Sequence, residues 1–99
     1  MSGNTVETGF EFRWDVVDLS DNSTTVTTRR AMLRGVYINT TTSAATVIST
    51  GASTVFTIPT GAIAGQTIAF GDVVLDSGIV IDPDDAATGS ITVIYKPVL

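Results

Sequence analysis

Three carboxylates fall within four residues at Asp82-Pro83-Asp84-Asp85, the densest group in this 99-residue sequence that could do chemistry. With Thr88 or backbone carbonyls they offer the all-oxygen ligand set that suits Ca²⁺. The spacing lacks the alternate-residue ligands of an EF-hand loop. The run from Asp82 to Gly89 reads equally as a proline-initiated turn closed by glycine, and that reading is adopted with no metal assigned. Asp72, Asp76 and Asp82 offer paired carboxylates for acid–base work, but the chain contains no histidine to share it. A glycosidase pair needs a cleft, and a chain this short without a large loop has little from which to build one. The hydroxyls have only Lys96 and carboxylates as bases, so no nucleophile is assigned. The chain is read as non-enzymatic and without a cofactor.

Two further groups suit recognition. Arg29, Arg30 and Arg34 are the basic cluster, fitted to a carboxylate-rich surface or phosphate, with the net acidity favouring a protein partner, or, as plain strand-edge charge, to blocking unwanted pairing. Phe10, Phe12 and Trp14 could anchor an interface, stack on carbohydrate, or pack in the core along one strand face. No glycine-rich phosphate loop is present: Gly61, Gly65 and Gly71 lack its spacing and its strand-to-helix setting. The sequons at Asn22 and Asn39 matter only in a secreted chain.

The elements that must position these groups are strands. Phe10, Phe12, Trp14 and Val16 alternate with Glu11, Arg13 and Asp15, the cleanest period-two pattern in the chain. Asp18–Ser23 is a turn before a polar edge strand at 24–28. The stretch 32–39 is predicted as a central strand, with Gly35 marking a bulge or a close backbone approach. Strands at 45–49 and 54–58 form a hairpin about Gly51, stopped by Pro59. Residues 62–65 read as a loop with one 3₁₀ turn. Residues 67–75 form one strand or two joined at Gly71-Asp72, followed by strands at 79–81 and 90–95, the last with Ile91, Val93 and Tyr95 on one face. Eight or nine short strands at this spacing predict an all-β sandwich of jelly-roll type.

Composition narrows the function classes. Seventeen threonines and no cysteine mean that β-ladders, packing or association must stabilise a single small domain. A net charge of −5 argues against nucleic acid. No apolar run reaches the roughly 20 residues that span a bilayer, and the start Met-Ser-Gly-Asn-Thr-Val-Glu lacks signal-peptide regions. Residues 1–30 are set apart as an N-terminal arm and β extension, and 31–99 as the sandwich core.

The phrases Leu33-Arg34-Gly35-Val36-Tyr37-Ile38-Asn39-Thr40, Ser53-Thr54-Val55-Phe56-Thr57-Ile58-Pro59, Phe70-Gly71-Asp72-Val73 and 82–95 resemble small all-β virion proteins of tailed bacteriophages, among them head-decoration or cement proteins. The resemblance covers about residues 31–96 and carries no functional residues. It implies a homotrimer made in the host cytoplasm and bound on the virion to the major capsid protein, bridging capsid subunits. Phe10, Phe12, Trp14, Arg29, Arg30 and Arg34 are then the expected interface. The alternative is a tail or fibre module that binds host-surface glycan, and the remaining one a small hydrolase using Asp82, Asp84 or Asp85.

Overall fold

The computed structural model describes residues 11–98, which contain eight strands and no helix. They are β1 (Arg13–Asp18), β2 (Thr24–Thr27), β3 (Ala31–Ile38), β4 (Thr46–Thr50), β5 (Ser53–Ile58), β6 (Thr67–Leu75), β7 (Ile79–Pro83) and β8 (Ser90–Pro97). β-branched and aromatic residues fill them, and Gly, Pro, Asn, Asp and Ser fill the joints.

Sheet I has the order β1-β8-β3-β6 and sheet II the order β2-β7-β4-β5, with every pairing antiparallel. Strand β1 pairs with β8, β2 with β7, β3 with β6 and β4 with β5, so the chain is one long hairpin rolled until β3 meets β8 and β4 meets β7. This is the connectivity of a jelly roll. The expected class is therefore observed.

The core lies between the inner faces. Leu33, Val36, Ile38, Ile91 and Val93 from sheet I meet Ile48, Ile58, Ile79 and Ile81 from sheet II, all fully buried. Strands β1 and β2 are the outermost strands on one side, and there Val17 and Leu19 close the gap between the sheets. On the other side the sheets end at β5 and β6. Phe56 and Phe70 meet there edge to face, with ring centroids 5.7 Å apart, and Phe56 remains 38% exposed. One side is sealed and the other is a mouth.

Two sequence expectations change and one open alternative is decided. Core packing of the Phe12, Trp14 and Val16 face is overturned, because Trp14 and Val16 are 69% and 59% exposed. As an edge strand, β1 turns Arg13, Asp15 and Val17 inward; Val17 is buried, while Asp15 sits at the rim and accepts a hydrogen bond from the Tyr95 hydroxyl at 3.0 Å. The 3₁₀ turn at 62–65 is replaced by two plain turns, with left-handed backbone at Gly61 and Gly65. Residues 67–75 are a single strand, interrupted within β6 by Gly71 and Asp72 at φ 65° and 57°.

Candidate functional site: the outer face of sheet I

Arg34 is the residue that two irregular ladders push outward. Between Leu33 and Gly35 the register of β3 slips by one residue against β8, because Leu33 faces Tyr95 and Gly35 faces Ile94. On the other flank Leu33 faces Val73 and Gly35 faces Ala69, so Arg34 stands opposite Phe70, Gly71 and Asp72 of β6. A bulge re-aims the side chain it carries. Gly35 allows the close approach, since a Cβ there would lie 3.0 Å from the Ile68 carbonyl oxygen.

The Arg34 guanidinium is fixed on two sides. Its Nε and Nη2 donate to the two carboxylate oxygens of Asp72 at 3.0 and 3.1 Å. Its carbon lies 3.6 Å from the centre of the Phe12 ring, over which the Lys96 ammonium also sits at 5.5 Å. Phe12, Lys96, Arg34 and Asp72 thus form a row across sheet I, from the start of β1 through β8 and β3 to β6. The hydrogen bonds from Arg34 hold the Asp72 carboxyl below the usual carboxylate range and the guanidinium above its own. A carboxylate so committed is a poor base, and the cluster suits recognition rather than proton transfer.

Beside the row stand exposed apolar side chains. Trp14 and Val16 stand beside Ile94 and Thr92, their register partners on β8. Tyr37 and Val74 are 41% and 38% exposed. Trp, Tyr and Arg on a rigid sheet are the residue types that dominate protein–protein interfaces.

The predicted interface residues divide. Phe12, Trp14 and Arg34 share this face. Arg30 is held elsewhere, its Nε donating to Asp76 at 2.8 Å, and Arg29 lies exposed between β2 and β3 with its backbone N–H on the Thr27 hydroxyl. Phe10 lies outside the described residues. In the acidic loop, Asp84 accepts the Ala86 N–H on its carboxylate and the Ala87 N–H on its carbonyl, the hydrogen bonds of a self-capped turn.

Asp72 was not anticipated as the partner of Arg34, nor Lys96 as its neighbour over the Phe12 ring, because only the pairing of β3 with both neighbours brings them together. The mouth was also missed. It is a cleft of about 450 Å³ whose lining includes Phe56, Pro59, Ile63, Gln66 and Ile68. A signal for it stands in the sequence: residues 35–71 contain no Asp, Glu, Lys or Arg, and they supply β4, β5, the loop after it and the first half of β6.

Comparisons with protein families, with curated proteins and with solved structures find no match for this chain. The class of protein is accordingly defined by topology and by this face: a small jelly roll with an outward arginine–aromatic row.

Proposed function

We propose that this chain is a non-enzymatic structural protein of a tailed-phage virion, decorating the capsid and stabilising it by bridging capsid subunits as a homo-oligomer. The observation that carries the reading is the outer face of sheet I, where Arg34 is held by Asp72 and Phe12 beside the exposed Trp14 and Val16. A side chain already ordered in the free protein loses little freedom on binding, so each contact it makes contributes more to affinity. The phrasing of residues 31–96 supports the virion setting. The jelly roll supports it by analogy of fold alone, since capsid domains and lectins both use that architecture. Many weak contacts repeated over a lattice hold by avidity, which suits a rigid module of this size.

The test is cosedimentation with expanded phage heads, followed by heating of the decorated heads. The protein is expected to bind and to raise the temperature at which the heads release DNA, and Arg34→Glu is expected to weaken binding at least tenfold while the variant stays folded. Heads that bind neither protein, or that gain no heat resistance from it, sink the reading.

The second reading, a tail or fibre module for host glycan, draws on one observation, the 69% exposure of Trp14 as a ring for sugar stacking. Glycan-array binding together with labelling of tails rather than heads in micrographs is its expected signature.

A further inference from the structure

Two apolar features sit at opposite ends of sheet I. At the β1 end, Trp14 and Val16 project from the outer face with Ile94 and Thr92 as neighbours, while the charged residues Arg13 and Asp15 of the same strand turn inward. At the β6 end the mouth of the sandwich opens, built wholly from the charge-free run 35–71.

The mouth is preformed. Thr42 clamps the loop that rims it: its hydroxyl donates to the Pro59 carbonyl at 2.7 Å and accepts the Ala62 N–H at 2.8 Å, while its backbone pairs with Ala62 and Gly61 at 2.9 and 2.8 Å. Gln66 fastens the tip of the loop by accepting the Ile63 N–H, leaving the Ile63 side chain 66% exposed. The cleft of about 450 Å³ has room for a large aromatic side chain, and Phe56 and Ile68 give it apolar walls.

We propose that Trp14 of one copy docks in the mouth of a second copy, so that the chain associates head to tail. Charge permits this contact. Each chain carries −5, the mouth adds no charge, and the Trp14 knob stands beside Phe12 with the cations Arg34 and Lys96 over its ring, so copies meet least repulsion there. Strand addition is disfavoured because every outer strand is guarded. Asp15 points inward on β1, β2 is four residues long with a register slip, Val55 is an unpaired bulge residue in β5, and β6 breaks at Gly71-Asp72. What remains is a side chain entering a pocket. Because donor and acceptor lie at opposite ends of sheet I, the contact is either reciprocated in an antiparallel two-fold pair or passed from copy to copy. In the second case it closes as a ring of three or more, or stays open as a filament.

The experiment uses two variants at exposed positions, Trp14→Ala and Ile63→Arg, which remove the knob and block the mouth without touching the core. Sedimentation equilibrium is expected to give a mass of at least two chains for the parent and one chain for each variant alone. An equimolar mixture is expected to give two chains, since Ile63→Arg still offers Trp14 and Trp14→Ala still offers a mouth. The chain has a single tryptophan, so the Ile63→Arg protein reports docking directly: its emission is expected to move to the blue on adding Trp14→Ala. A monomeric parent, a Trp14→Ala variant of unchanged mass, or a mixture that remains monomeric overturns the proposal. Blue emission from Ile63→Arg alone, independent of concentration, also overturns it by showing that Trp14 is covered from within its own chain. Head binding by the parent and its loss in Arg34→Glu are read separately, so failure here removes the homo-oligomer from the capsid proposal and leaves its head-binding face standing.

Discussion

Tyr95 and Thr46 each carry a polar group into the interior. Burial first, and then the hydrogen bond to Asp15, push the Tyr95 phenol above its ordinary value of about 10. The folded protein therefore keeps a proton that the unfolded chain releases near pH 10. That stabilisation is fully present below pH 10 and is lost as the pH rises through the folded value. Tyr95→Phe is expected to cost about 1 kcal/mol at neutral pH and to remove the alkaline decline, which urea unfolding at a series of pH values between neutrality and strong alkali measures. Thr46 is fully buried opposite Ile58, and its hydroxyl has no hydrogen-bond partner among the described residues. Thr46→Val keeps the shape and is expected to raise stability by about 1 kcal/mol, seen as a higher urea midpoint at unchanged slope. A lower midpoint would show that the hydroxyl is paired through bound water.

At the scale of elements, the turn between β6 and β7 is the joint with the least tolerance. Gly78 is buried at φ 90°, and a Cβ there would overlap the carbonyl oxygen of Thr27 on β2. Gly78→Ala is expected to cost about 3 kcal/mol or more, because strain and collision add. Gly71→Ala, also at positive φ but in open space, is expected to cost about 1 kcal/mol. Thermal unfolding of the pair separates backbone strain from crowding. Most strands were legible from alternation and from their punctuation by Gly, Pro, Asn and Asp. The face of β1 was not, because alternation gives two faces and does not say which one is covered. In a central strand the apolar face must turn inward; at an edge, Asp15 can reach water while Val17 and Leu19 alone close the core. Gly35 announced its bulge, but the grip of Arg34 on Asp72 depends on ladders with β8 and β6 that no local pattern contains.

For the molecule as a whole, the rolled hairpin makes the first strands structurally equal to the last. Val17 and Leu19 are core residues, and β7 and β8 each lose a ladder partner if β1 and β2 are removed. A chain of residues 31–99 alone is expected to bind ANS and to unfold without a cooperative transition. A sharp calorimetric transition from that fragment would show instead that residues 1–30 are dispensable to the fold. Pairings such as β1 with β8 close almost the entire chain into a loop before they form, a topology that folds slowly.

The same roll decides how the protein bears load. Arg13 at the start of β1 lies opposite Tyr95 near the end of β8, so the two ends of the ribbon leave side by side. Tension applied between them would part the β1–β8 ladder one hydrogen bond after another, as a zipper opens, rather than strain all of its bonds together in shear. A tether through its ends would therefore yield to little force, whereas a grip spread over the outer face of sheet I would load several strands at once.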